Sequence, residues 1–321
     1  MPERASRHER LRILLAFACI WFIWGSTFLA IRYAIVDIPP LLMCGLRLVV
    51  AAVLLLGYAI ATGAAWPRGR EWRDAALVGL LLPGIGNVAV TIGVAHVPSG
   101  LVALLVATIP LWMALLGSFG PNAAPPGRQA MLGLVIGFVG IVLLLGPGVA
   151  GGHQAPIQPG WALVPVLGSL SWAWGSLWSR RAVMPRSPLM STAVGLAAAG
   201  VAVLLVSAGT GDLGRWSFAA TRAPAWAALA YLAVFGSVIG FGAYLHLLRH
   251  VSPPIVATYA FVNPIVAMAL GWAIGGESLG PRTLTAAAVV LAAVVLITTA
   301  RPAPRGVSAP VGAGAVPARR A

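Results

Sequence analysis

The sequence contains no lysine, and it has only seven acidic residues and two cysteines among 321 positions. Without a lysine the chain cannot form the lysine-bearing phosphate loop of an ATPase, so it cannot by itself pump with ATP. It also has no His-Glu-x-x-His zinc motif. We place Cys19 and Cys44 about 15 Å apart in depth along their helices. This exceeds the ~7 Å Cα limit for a disulfide, so we expect both thiols to be free.

Charge is scarce and apolar residues are abundant. Only 9% of residues are charged and 60% are hydrophobic, with a mean hydropathy of +0.93, which is too apolar for a soluble protein of this length. A transmembrane helix needs roughly 20 mostly apolar residues. The sequence therefore predicts an all-α integral membrane protein with ten transmembrane helices, at 11–33, 40–62, 75–95, 99–119, 130–147, 159–178, 188–208, 225–247, 254–274 and 282–300.

The arginines are distributed unevenly between the two sides of these predicted spans. With the N-terminus inside, sixteen lie in cytoplasmic segments, and only Arg32, Arg215, Arg222 and Arg282 lie outside. An excess of basic residues on one side is typical of the cytoplasmic face. We therefore predict a multi-pass protein of the cytoplasmic membrane with both termini in the cytoplasm. The net charge of +14 orients the chain and does not indicate a nucleic-acid partner.

One stretch occurs twice, as HVPSGLVALLVATIPLWMALLG at 96–117 and as HVSPPIVATYAFVNPIVAMALG at 250–271. The segments align without a gap at a shift of 154, and a Trp-Gly-Ser motif recurs at 24–26 and 174–176. The duplicated unit holds five helices, so its second copy must enter the membrane from the opposite face. This predicts a cytoplasmic tail at 1–10, a first repeat at 11–147, an outer linker at 148–158, an inverted second repeat at 159–300 and a disordered cytoplasmic tail at 301–321.

Each copy of the repeated stretch has a proline near its middle, Pro110 and Pro264. A proline within a helix strands the carbonyl four residues earlier, here Val106 and Ala260. Interrupted helices in matching positions of two halves indicate the binding site of a transporter. We hypothesise that both prolines are hinges beside a common cavity, with simple kinks in packed helices as the alternative.

The motifs WGSTFLAIRYA (24–34), PPLLMCGLRLVVAAVLLL (39–56) and LLRHVSPPIVATYAFVNPIVAMALGWAIGGESL (247–279) resemble the EamA family of the drug/metabolite transporter superfamily. The resemblance implies ten helices in two inverted repeats and a carrier that usually exports amino acids, other small metabolites or toxic compounds. It does not indicate the substrate. Glu277 has no counterpart in the first half, so we assign it no paired-carboxylate role.

Polar residues inside apolar spans are candidates for substrate binding because they are costly to keep there. Aromatic residues in the spans are candidates for the walls of the same cavity. Together they would suit a small amphipathic solute. Interhelical hydrogen bonding and packing are the alternative for each of them. The candidates are Trp24, Ser26, Asn87, Thr91, Thr108, Trp174, Tyr244, Tyr259 and Asn263.

Arg47 is the charged residue well inside a predicted span, ~10 Å from its start. It could bind a substrate carboxylate with two hydrogen bonds. It could also bond a helix-end carbonyl, or pair with Glu277 as a structural charge. We favour the structural role.

These features predict a secondary transporter that exports small metabolites by alternating access, with a small-molecule substrate and the bilayer as its partners. A passive channel or a lipid scramblase is the alternative, and a homodimer is left open. A membrane-embedded enzyme is less favoured. The Gly-x-Gly-Asp match at 209–212 is in an outer loop, and aspartyl proteolysis needs a second carboxylate beside it. No cofactor or metal is predicted.

Overall fold

The computed structural model describes residues 7–119, 127–145, 158–251, 256 and 259–300, and these residues contain helices and no strands. Seven of their helices are long and apolar enough to cross a membrane. They are α1 (His8–Ala34), α2 (Pro40–Ala61), α3 (Arg70–His96), α4 (Ser99–Gly117), α7 (Pro188–Gly209), α8 (Ala223–Tyr244) and α10 (Pro281–Thr299). Three further long helices lie between them: α5 (Arg128–Leu145), α6 (Pro159–Ser179) and α9 (Tyr259–Ala273). A short helix of four residues, Asp212–Arg215, follows α7.

The ends of these helices differ slightly from the predicted ends. The helical backbone of α1 begins at Arg7, so the last four residues of the predicted tail 1–10 belong to a helix. The helical backbone of α8 continues to His250. Residues 148–157 of the predicted linker and the predicted tail 301–321 lie outside the described residues. Cys19 and Cys44 are both free thiols, as expected.

Three helices contain wide π-helical segments. These are Cys19–Ile23 in α1, Leu80–Gly86 in α3 and Leu232–Ile239 in α8. Pro83 lies inside the second segment and lacks the N–H that a regular α-helix would use there. A π-helical turn changes which face of a helix the following residues occupy, and such turns are frequent at functional sites. All three helices line the cavity described below.

Glycines allow two pairs of helices to pack closely. Gly45 of α2 lies against Leu204 of α7, and Gly133 of α5 lies against Ile297 of α10. A side chain at either glycine would collide with the neighbouring helix. Small residues give membrane helices this close approach. α2 is therefore paired with α7, and α5 with α10.

The two proline-containing helices have different conformations. α4 is broken into Ser99–Val106 and Ile109–Gly117, with Pro110 in the first turn of the second piece. A proline is well tolerated there because the N–H it lacks would have no helical partner. α9 instead runs as one helix from Tyr259 to Ala273, with Pro264 buried inside it. Among the described residues, only the first copy is broken next to its proline.

Candidate functional site

A cavity of about 110 Å³ lies in the middle of the helix bundle. Residues from α1, α2, α3, α4, α6, α8 and α9 line it, so both halves of the chain contribute. The lining combines aromatic rings with a few polar groups and no acidic side chain. Ligand pockets commonly have this composition.

Four of the predicted substrate-binding residues line this cavity, and so does Arg47. The four are Trp24, Asn87, Tyr259 and Asn263. They come from α1, α3 and α9, which are far apart in sequence. The fold therefore brings these candidates together, and their role in binding remains a prediction.

Two of the other candidates are occupied by hydrogen bonds within the protein. The Ser26 hydroxyl donates to the carbonyl oxygen of Ile23 at 2.8 Å and lies 2.6 Å from the Tyr231 hydroxyl. The Thr108 hydroxyl donates to the carbonyl oxygen of Leu105 at 2.6 Å, next to the break in α4. Neither residue lines the cavity.

The remaining three candidates also lie outside the cavity lining. Thr91 is completely buried on α3. The Tyr244 ring packs against the rings of Trp24 and Tyr259, directly behind the cavity wall. Trp174 is 56% exposed on the surface of α6.

Trp172, Ser169 and Thr27 line the cavity and were not among the predicted residues. The Trp172 ring packs against Gly86 of α3, where a side chain would fill its place. Two residues along an α-helix turn through about 200°, so Trp172 and Trp174 point to nearly opposite sides. The repeated Trp-Gly-Ser motif contains Trp174, whereas Trp172 lies two residues before it. The motif therefore singled out Trp174 and could not show which of the two tryptophans faces inward.

Trp24 holds one wall of the cavity in place. Its indole N–H donates to the carbonyl oxygen of Gly236 at 3.0 Å. Its ring contacts Phe241, Tyr244 and Tyr259, with centroid distances of 5.2 to 5.7 Å. Edge-on and tilted contacts at these distances stabilise aromatic clusters. The cluster joins α1, α8 and α9 toward the end of the bundle where α1 begins.

Asn263 supports the widened part of α1. In the amide orientation that satisfies both the side-chain oxygen and nitrogen, the nitrogen of Asn263 donates to the carbonyl oxygens of Ile20 and Trp21, at 3.2 and 3.1 Å. Both carbonyls belong to the π-helical segment of α1. Asn263 directly precedes Pro264, so the proline-containing turn of α9 and the π-helical turn of α1 contact each other beside the cavity.

Arg47 is 6% exposed and lines the cavity from α2. Its Nε–H donates to the hydroxyl of Ser237 on α8 at 3.3 Å. The proposed pairing of Arg47 with Glu277 is wrong, because Glu277 is occupied elsewhere.

Glu277, 3% exposed, follows α9 at the opposite end of the bundle from the aromatic cluster. Its Oε1 accepts from Arg32 Nη1 at 2.6 Å, from the Ser99 N–H at 2.7 Å and from the Ser99 hydroxyl at 2.6 Å. Its Oε2 accepts from the Gly100 N–H at 3.0 Å. The carboxylate thus caps the first turn of α4, where a negative charge is favoured.

A second ion pair lies at the same end of the bundle. Arg222, just before α8, donates through Nε and Nη2 to the carboxylate of Asp37 in the loop between α1 and α2, at 2.8 to 3.1 Å. The hydrogen bonds and charge of Arg222 hold the pKa of Asp37 below its ordinary value. This pair is less buried than that of Glu277, because the Arg222 side chain is 66% exposed and the Asp37 side chain 15%.

Asp212 of the Gly-x-Gly-Asp match has a structural role. Its carboxylate accepts from the Ser207 hydroxyl at 2.9 Å and from Arg215 at 2.7 Å. No second carboxylate is paired with it in the part of the chain described. The described part of the chain contains no group of three or more His, Cys, Asp or Glu side chains that could hold a metal ion.

Comparison with known proteins places this fold among membrane transporters. The model of the EamA-like transporter family matches residues 11–146 and again residues 159–299. The chain is 38% identical over 292 residues to the uncharacterized inner membrane transporter YedA of Escherichia coli K12, covering 90% of this chain and 92% of YedA. It is 27% identical to Protein PecM of Dickeya dadantii, over 86% of this chain and 88% of that protein.

A solved crystal structure has the same fold, with a TM-score of 0.63 at 18% sequence identity. The match covers 90% of this chain and 98% of the other. The family model matches all the helices that line the cavity, and YedA aligns with 90% of this chain. The chain therefore belongs to the EamA-like transporter family.

Proposed function

We propose that this protein is a secondary carrier that exports small amphipathic metabolites through the central cavity by alternating access. The observation that carries the proposal is the cavity itself, which is shared by both halves of the chain and combines aromatic walls with polar groups. Such a lining suits a solute that has an apolar body and one or two polar groups. Export is the direction that the resemblance to the family implies.

Ten transmembrane helices in two inverted repeats fit this mechanism. The two separate matches to the family model, at 11–146 and 159–299, support a duplicated unit. The close pairs α2–α7 and α5–α10 each join helices at equivalent positions of the two units. In an inverted repeat the two halves can exchange conformations, and this exchange moves the access to the site from one side to the other.

We assign two sets of contacts as the gates of the cavity. On the outer side, Glu277 joins the end of α1 to the start of α4. On the inner side, the rings of Trp24, Tyr244 and Tyr259 join α1, α8 and α9. Alternating access requires each set to open while the other remains closed. α1 belongs to both sets, and its π-helical segment directly precedes Trp24 of the inner set.

The test uses the purified chain in sealed liposomes with a pH gradient and a membrane potential. A carrier coupled to either gradient will accumulate a labelled solute from a metabolite panel beyond its electrochemical equilibrium. A passive channel will only bring the solute to that equilibrium, at equal concentrations for a neutral solute and at the ratio set by the membrane potential for a charged one. A scramblase will move fluorescent lipids between leaflets instead.

Trp172→Ala and Trp174→Ala form a matched pair for this assay, since they alter tryptophans two residues apart on α6. Accumulation that is lost only with Trp172→Ala supports a carrier that uses the cavity. Equilibration without accumulation under both gradients, or lipid movement alone, contradicts the proposal.

A further inference from the structure

Arg47 retains hydrogen-bonding capacity that the protein does not use. A guanidinium group has five N–H donors. One of them, on Nε, donates to Ser237. The four on Nη1 and Nη2 make no hydrogen bond to another described residue. Nη2 lies beside Gly236, where no side chain separates it from the cavity.

The charge of Arg47 is also not balanced by the protein. The ion pairs in the described part of the chain involve Arg32, Arg73, Arg215 and Arg222. No carboxylate among the described residues lies within 4 Å of a nitrogen of Arg47. A buried charge that lacks an opposite charge is strongly destabilising. Keeping one inside an apolar bundle is a cost that a functional role would explain.

The surroundings of Arg47 restrict what could bind to it. Asn87 also faces the cavity, and its amide makes no hydrogen bond to other described residues. Trp24, Trp172 and Tyr259 provide flat apolar walls. The cavity therefore has one positive charge, a polar amide and an aromatic enclosure.

We propose that Arg47 binds the carboxylate of the transported solute, which is a small amphipathic monocarboxylate. This inference rests on the proposed function and specifies its substrate class. The guanidinium fork matches a carboxylate through two parallel hydrogen bonds. A dianion such as a phosphate monoester would leave one negative charge unbalanced in the cavity. An organic cation would be repelled by Arg47, with no acidic side chain in the lining to compensate.

The test measures the thermal stability of the purified full-length protein in detergent with three probes of similar shape. Phenylacetate carries one negative charge, phenylacetamide is neutral, and 2-phenylethylamine carries one positive charge. We expect phenylacetate to raise Tm in a saturable way and the other two to have little effect. Arg47→Gln should weaken the apparent affinity for phenylacetate at least about tenfold, since it removes both the charge and the fork. Arg47→Lys keeps the charge without the fork and should fall between them.

Arg12→Gln is the control for the loss of one positive charge, because Arg12 is exposed near the start of α1, away from the cavity. It should bind phenylacetate as the wild type does. If Arg47→Gln fails to fold, the Lys variant and the three probes on wild-type protein decide the outcome. The proposal is overturned if phenylacetate does not raise Tm, if phenylacetamide raises it equally, or if a folded Arg47→Gln binds phenylacetate normally.

Transport of the same probes in liposomes separates this inference from the proposed function. Binding of phenylacetate through Arg47 without movement of any solute supports the anion site and contradicts the carrier. Equal transport of phenylacetate and phenylacetamide supports the carrier and contradicts the carboxylate anchor.

Discussion

The Nη1 atom of Arg32 lies 2.6 Å from Oε1 of Glu277 and ties the end of α1 to the segment that follows α9. The same carboxylate caps the first turn of α4. One buried side chain thus holds three helices together at the end of the bundle that we assign as outer. Opening that end must break these bonds.

Glu277→Gln should weaken this contact and favour opening of the outer end. The substitution removes the charge while keeping the size, and hydrogen bonds to a charged group contribute about 1–3 kcal/mol each. We expect a lower Tm in detergent and a larger fraction of molecules open to the outside. Labelling of a cysteine placed in the cavity, from outside intact cells, measures that fraction. An unchanged Tm together with unchanged labelling would remove Glu277 from the gate.

Asp37→Asn is the matched control, since Asp37 also pairs with an arginine at this end, but its partner Arg222 is 66% exposed. Exposed ion pairs contribute little to stability, so transport should be close to that of the wild type. The pKa of Asp37 is lowered in the folded protein. Its contribution is therefore present above about pH 4, and it is lost only as the pH falls through the lower folded value. Between pH 5 and 8 we expect no pH dependence from this pair.

Trp172→Ala should reduce transport at least about tenfold, while Trp174→Ala should stay within about twofold of the wild type. Trp172 lines the cavity and packs against Gly86, whereas Trp174 is 56% exposed. Trp172 is partly buried, so truncating it removes packing contacts that Trp174 does not make, and Tm should fall more for Trp172→Ala. Initial rates in liposomes, corrected for the amount of folded protein, test the pair. Equal rates for both variants would place the transport path elsewhere.

Pro110→Ala should change the rate of transport more than Pro264→Ala does. Alanine at 110 supplies an N–H that can bond the carbonyl oxygen of Val106, which would join the two pieces of α4. α9 is already continuous through Pro264, so the same change there alters its path less. The measurement is the transport rate of each variant together with cavity labelling from each side. A larger effect at Pro264 would contradict the hinge in α4.

The sequence predicted the positions of the helices well because hydropathy is a local signal. It also selected Asn87 and Asn263, both of which line the cavity, because an amide within an apolar span stands out on any helix. It could not separate Trp172 from Trp174. That choice depends on the rotation of α6, which is set by packing against α3. The π-helical turns in α1, α3 and α8 add to this difficulty by shifting the faces of the helices they interrupt.

The sequence also could not predict which charged side chains pair across long distances in the chain. From the sequence, Glu277 was one possible structural partner of Arg47. The fold instead places Glu277 beside Arg32 and the start of α4, leaving Arg47 at the cavity with Ser237. Only the crossing of α1, α2 and α9 determines which arginine reaches the carboxylate.

The most direct measurement of the central claim is the accessibility of a single cysteine at position 87, in a variant lacking Cys19 and Cys44. Asn87 lines the cavity, and a cysteine at position 174 on the exposed surface of α6 serves as the control. We predict that an impermeant, negatively charged thiol reagent modifies Asn87→Cys from outside intact cells and from the inner face of inverted vesicles. Modification from either side should stop transport, while Trp174→Cys stays largely unreactive. If Asn87→Cys reacts from neither side, or transport continues after complete modification, the cavity is not the path of the solute.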